Sequence, residues 1–301
     1  MNFLGVFGHT NVDFIFHLPK LPKSNQTVRV LKRWRYFGGT GANIARIAAR
    51  LGVKTALSSF VGEDFPDDYY TTLKKEGIDL TDFKRVDGYA TSTCWILTSG
   101  HEQVTIIDQG PMQAAGKFEV ADHTVRNSEI VHIGTGNPDY YAKVVSLAAR
   151  LNKCISFDPA QELQYIYTPQ RFEALLGKTD YFFANEDEVD VALRYLRFKE
   201  PKDLLALADN IVVTRGAKGS VILTESEELK IPAIKAKKVA GITGAGDGYR
   251  AGFYAALQRR WDMQKCGLAG AATASYVIEG DGPQENIPTW EKVLDRLEPF
   301  I

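Results

Sequence analysis

Beyond residue 130 short β-rich runs alternate with helical spacing, and no other feature restricts the fold so far. Residues 130–133, 154–157, 181–184 and 210–214 read as strands, and 140–151, 169–176 and 186–196 carry apolar positions at helical intervals. Strands separated by helices require crossover connections, which give a mostly parallel sheet with helices on both faces. Residues 3–8 and 56–61, the second run following a helix over 42–51, are expected to join the same sheet. Sheets of this kind bind ligands at the carboxyl ends of their strands. The polar residues just past the strands are therefore the candidates: Asn11, Asp13, Asp158, Asn185, Thr214 and Asp247.

Two early stretches, about 12–37 and 89–109, break the alternation. They hold β segments at 28–31, 93–97 and 104–107 and no helix, as expected of a small β appendage, a lid, inserted into a single domain spanning 1–301. The net charge of −1 supplies no general attraction to nucleic acid or an anionic membrane. No apolar run approaches the ~20 residues needed to span a bilayer. The start, MNFLGVFGHTNVD, reads as a strand and not as a signal peptide. Cys94, Cys154 and Cys266 are far apart and odd in number, which suits buried free thiols in a cytoplasmic protein. The Lys-rich stretch 230–238 reads as a solvated strand edge. His9 and His132, after or within buried strands, read as core histidines.

Gly241-Ile242-Thr243-Gly244-Ala245-Gly246-Asp247 runs as a glycine-rich turn into an apolar helix. Such a turn aims free N–H groups at one point and makes an anion site. A carboxylate there repels phosphate, unless it serves to take a proton from a hydroxyl that attacks a phosphoryl group. The same residues also suit a plain helix cap. A second turn, Gly38-Gly39-Thr40-Gly41-Ala42-Asn43, feeds the helix over 42–51. It lacks the dinucleotide-binding spacing, and the chain contains no P-loop signature.

The two turns together resemble the two signature motifs of the ribokinase-like (PfkB) carbohydrate kinase family. Asn11-Val12-Asp13, Asn185-Glu186-Asp187-Glu188, Thr214-Arg215-Gly216-Ala217-Lys218-Gly219, Gly282-Pro283 and Ile287-Pro288 fit the same family in order, so the resemblance covers essentially the whole chain. It implies a three-layer α/β/α fold with an inserted β lid, and ATP-dependent phosphoryl transfer with Mg²⁺. By the same resemblance Asp247 is the base, and Gly244, Ala245 and Gly246 form the anion hole. Asn11, Asp13, Gly39, Asn43 and Gln161 face the acceptor, and Asn185, Thr214, Gly216 and Gly219 face ATP. Glu188 would act on Mg²⁺ through water, or simply sit on a helix surface. The family's Asp-Thr ahead of this turn is replaced by Gly241-Ile242, which puts potassium activation in question.

Asp158-Pro159-Ala160-Gln161-Glu162-Leu163, Arg250-Ala251-Gly252-Phe253 and Gly110-Pro111-Met112 resemble segments of prokaryotic adenosine and nucleoside kinases. The expected activity is transfer of the γ-phosphoryl of ATP to the 5′-hydroxyl of ribonucleosides with broad base specificity. The alternatives are a kinase of ribose, fructose or 2-keto-3-deoxygluconate, and a non-catalytic nucleoside sensor. Trp95 stacks on a base or packs the lid; Arg29, Arg33 and Arg35 bind a substrate phosphate or solvate a strand. A lid sheet has an edge and an apolar face to cover, for which a homodimer through the lid is one solution.

Overall fold

The computed structural model describes residues 1–100 and 102–301. These form, in chain order, β1 (Asn2–Phe7), β2 (Asn11–His17), β3 (Lys32–Gly38), α1 (Thr40–Arg50), β4 (Thr55–Gly62), α2 (Asp67–Lys75) and β5 (Phe83–Val86). There follow β6 (Thr93–Ser99), β7 (Glu102–Asp108), α3 (Asp122–Arg126), β8 (Ser128–Ile133), α4 (Pro138–Arg150), β9 (Cys154–Phe157) and α5 (Pro169–Leu176). The remainder is β10 (Thr179–Asn185), α6 (Glu186–Leu196), β11 (Ala208–Thr214), β12 (Ser220–Leu223), β13 (Glu228–Ile231), α7 (Ala245–Gln258), α8 (Met263–Val277) and α9 (Trp290–Leu297).

The main sheet of the described residues runs β13-β12-β11-β10-β9-β8-β1-β4-β5. Every pair from β5 to β11 is parallel, and β12 and β13 extend that edge antiparallel. Alternate residues of one strand enter different cores. Phe182 and Ala184 of β10 pack with Val144, Phe172 and Val189 from α4, α5 and α6, while Phe183 packs with the α1, α7 and α8 side. This is the three-layer α/β/α arrangement that the alternation predicts. All eight residues of β4 are buried, as for a parallel strand covered on both faces. Helix starts carry their own local code: Asn137 caps α4 with Pro138 next to it, Thr168 caps α5, and Asp262 caps α8.

A second sheet of four strands, β3-β2-β6-β7, stands apart from the first and is built from the two early stretches. Its β2–β6 pair is parallel and its other pairs are antiparallel. Cross-strand register puts Phe14, Trp95 and Ile106 on one face, with Phe16, Leu97 and Val104 beside them. The segment 28–31 is not a strand, contrary to expectation: β3 begins at Lys32. β2 ends at His17, ahead of Pro19; the Leu31 amide still reaches the His17 carbonyl at 2.9 Å, but residues before Leu31 have no strand to pair with, and Val30 and Leu31 are exposed. Arg29 thus lies off the strand that carries Arg33 and Arg35. Asn11 and Asp13 follow β1, as expected, and lie at the start of β2, where the chain leaves the main sheet. Lys230 lies on the edge strand β13. Among the described residues no helix is long and apolar enough to cross a membrane.

Candidate active site

Both glycine turns open helices that pack side by side, α1 and α7, and their first turns meet. Asn43 of α1 donates from Nδ2 to Oδ2 of Asp247 on α7 at 2.7 Å. Gly244 caps α7 with φ 82°, and a Cβ there would lie 2.5 Å from Cβ of Pro283, so the turn admits only glycine. Gly39 has φ 94° and its missing Cβ faces the carbonyl of His9. These constraints bring the Gly246 N–H and the Asp247 carboxylate to one helix end, whereas the Ala245 N–H, expected to face an anion, donates to the Ile242 carbonyl at 3.2 Å. Burial pushes Asp247 up to about 6, against the Asn43 hydrogen bond and the Arg250 charge, which pull it down.

On the opposite wall Asn11 donates to Asp13, and both are buried. Burial raises Asp13 to about 7, opposed by hydrogen bonds from Cys94 and Asn11. Cys94 accepts weakly from Asn11 at 3.6 Å, and its thiol is pushed up to about 12, mainly by burial. Next to this wall is a cavity lined by Asn11, Thr40, Cys94, Gln161, Glu162 and Tyr165, among others. Gln161 is exposed at its edge. Glu162 is buried beneath, accepting from Gln109 Nε2 at 3.0 Å and from the Gly136 amide. His9 also lines the cavity: its Nδ1 meets Thr135 Oγ1 at 3.0 Å and its Nε2 is buried without a partner. His9 is therefore a cavity wall and not merely a core histidine. His132 is a core residue, bonded to Tyr254 at 2.8 Å and lowered to about 4 by burial. Trp95 lies on the small sheet's face, between Phe14 and Ile106, and does not line the cavity.

The remaining candidates sit where β10 and β11 end, with Asn185 paired in register to Thr214. Asn185 and Glu188 form a capping box: Asn185 Oδ1 accepts from Glu188 N, and Glu188 Oε2 accepts from Asn185 N, each at 2.8 Å. Glu188 is buried, and that burial, together with facing Asp158, raises it to about 7. Arg215 and Lys218 both bond Glu186, tying the turn containing Gly216 and Gly219 to the start of α6. Between the two halves Arg250 donates to both oxygens of Asp158 at 2.7 and 3.0 Å, deep in the protein. A Cβ on Gly246 would lie 2.8 Å from Nη1 of Arg250, so the guanidinium underlies the turn. Two residues that the sequence did not single out complete the site: Glu162 in the cavity floor and Gln284, which bonds Asn43. The signals for them were faint, a neighbour of Gln161 and a position inside the Gly282–Pro288 loop.

Residues 1–290 match the pfkB family of carbohydrate kinases. The chain belongs to that family. The nucleoside kinase of Methanocaldococcus jannaschii is 40% identical over 97% of this chain and 95% of its own length. That of Methanothermobacter thermautotrophicus is 34% identical over 96% and 94%. The crystal structure of M. jannaschii nucleoside kinase, an archaeal member of the ribokinase family, superposes with a TM-score of 0.93 at 38% identity, covering 99% of each chain. This pfkB-family member thus shares the fold of its M. jannaschii relative over 99% of each chain.

Proposed function

We propose that this kinase transfers the γ-phosphoryl of ATP to the 5′-hydroxyl of ribonucleosides, with Asp247 as general base. The observation that carries the reading is the Asp247 carboxylate at the N-terminus of α7, on the same turn as the Gly246 amide and bonded by Asn43 of the second glycine turn. A base there contributes about 10²–10⁴ in rate, and each amide that meets developing charge contributes roughly 3–4 kcal/mol in comparable sites. The two archaeal relatives named nucleoside kinases support a nucleoside acceptor. Asp13 and Asn11 would receive the ribose hydroxyls, with Gly39 and Asn43 beside them, and Gln161 and Glu162 would meet the base. Thr214, Gly216, Gly219 and Asn185 would line the ATP phosphates.

The donors near Glu188 suit Mg²⁺. Glu188 offers a hard carboxylate oxygen, and a cation beside it would offset the repulsion from Asp158, whose own oxygens are taken by Arg250. The cation, when bound, neutralises charge on the phosphates. Gly241 and Ile242 offer no side-chain oxygen, which argues against potassium activation.

The small sheet would close over the acceptor as a lid, and its Phe14, Trp95 and Ile106 face would be covered by a second copy of the chain. The deciding experiment is ADP release from ATP and Mg²⁺ across ribonucleosides, deoxynucleosides and free sugars. Turnover on several nucleosides but not on hexoses is expected, with Asp247→Asn inactive yet still binding nucleoside. Turnover confined to sugars overturns the acceptor assignment, and an active Asp247→Asn variant overturns the base.

A further inference from the structure

Asn43 meets Asp247 with its amide nitrogen, although a carboxamide is nearly symmetric in shape and its two ends are distinguished only by their hydrogen-bond partners. The choice is made by Gln284, whose Nε2 donates to Asn43 Oδ1 at 2.7 Å. Gln284 has its own orientation fixed twice. Arg46, which can only donate, gives Nη1 to Gln284 Oε1 at 2.9 Å. The second Nε2 hydrogen goes to the Tyr69 hydroxyl at 2.7 Å, and that hydroxyl has its proton on the Gly38 carbonyl at 2.9 Å. A single polarity therefore runs from Arg46 through Gln284 and Asn43 and ends on an oxygen that must accept. Gln284, Asn43 and Tyr69 are all buried, so water does not offer the amides an alternative partner.

We infer that Gln284 is a positioning residue for the base: through Asn43 it holds a hydrogen-bond donor against Asp247 and so keeps that carboxylate ionised and aimed in the free enzyme. The inference rests on the reading of Asp247 as base. The other groups facing Asp247 are Arg250 on its own helix, Asp158 beyond β9, Asp13 on β2 and Tyr69 on α2. Of these only Arg250 favours the ionised form, and it is already engaged with Asp158. Among the described residues the Asn43 bond is the one side-chain contact that offsets the burial of Asp247 without a competing anion attached.

The test is the pH profile of kcat/KM, whose acid limb carries Asp13 as well as Asp247, so it is read in each variant against the pH dependence of nucleoside Kd, which carries Asp13 alone. Replacing Gln284 by Met keeps the volume and removes both donors. The acid limb is expected to move up by about one pH unit, a loss close to tenfold at pH 5.5 that vanishes by pH 8.5. Gln284→Glu keeps the acceptor for Arg46 but cannot donate to Asn43, so the Asn43 amide must turn its oxygen to Asp247, and the limb moves at least as far. Asn43→Ala shifts the same limb, and adding Gln284→Met to it shifts the limb no further. A loss equal at every pH, an unmoved limb in Gln284→Glu, or additive shifts in the double variant overturns the inference. Asp247→Asn run alongside separates the two readings: if it turns over normally, the base assignment fails and not the role of Gln284 alone.

Discussion

The buried pair of Asp158 and Arg250 invites a test in which magnitude decides. Both side chains are about 95% buried, and the guanidinium donates twice to the carboxylate. Replacing Asp158 by Ala leaves Arg250 charged, buried and without its two acceptors. Breaking such a pair from one side costs about 3–5 kcal/mol. Glu188 also faces Arg250 and takes up part of the charge, which puts the expected loss at the lower end of that range. An unfolding entropy of about 2.1 cal/mol/K per residue over 301 residues makes each kcal/mol worth roughly 1.6 °C. Asp158→Ala should therefore lower Tm by about 5–6 °C in differential scanning calorimetry. The exposed pair Arg85–Asp67 is the internal comparison: exposed pairs contribute about 0–1 kcal/mol, so Asp67→Ala should shift Tm by less than about 2 °C. Removing both ends of the buried pair with Asp158→Leu and Arg250→Met should recover much of the loss, because an apolar pair carries no desolvation cost. Equal shifts from Asp158→Ala and Asp67→Ala would refute the reasoning.

Three further outcomes are expected. If Asp13 receives the ribose hydroxyls as proposed, nucleoside affinity should weaken as pH falls through about 7, because the protonated carboxyl loses acceptor capacity; calorimetric titration at pH 6 and pH 8 with proton release measured below pH 7 checks this. Gly244→Ala should cost about 1–3 kcal/mol of strain at φ 82° and displace the anion hole from Pro283, lowering kcat at least tenfold in steady-state assays. Glu188→Gln keeps the capping box but removes a carboxyl whose folded pKa, raised from 4.5 to about 7, makes the ionised group destabilising above pH 7 and neutral in effect below 4.5. The variant should therefore melt no lower than the parent at pH 8 yet need more Mg²⁺ for half-maximal rate; an unchanged Mg²⁺ dependence would leave the Asn185–Glu188 pair as a cap alone.

The parallel sheet was legible because strands such as β9 and β10 are short apolar runs set between helices with strong periodicity, α5 and α6 among them. α8 escaped the same reading since ten of its fifteen residues are buried, and a helix covered nearly all round loses the polar stripe that marks its period. The segment 28–31 misled in the opposite way, its alternation real but its partner strand already ended at His17. Local propensity does not reveal whether a neighbour exists to pair with.

The site divides along the same line. Gly39, Gly244 and Asp247 announce themselves, because a positive φ or a charge at a helix start leaves few residue types that fit. Gln284 does not, since it sits 241 positions from Asn43 and its type is equally at home on any solvated loop. What makes it specific is the polarity imposed by Arg46 and the Gly38 carbonyl, contacts that exist only after α1, α2 and the last loop have packed. On the proposed reading, motifs supply the reacting groups, whereas partners brought from the far end of the chain set the protonation state of the base. A variant that leaves every signature residue in place can thus still disable the site at low pH, and its failure would be readable in the hydrogen-bond chain before it was readable in the sequence.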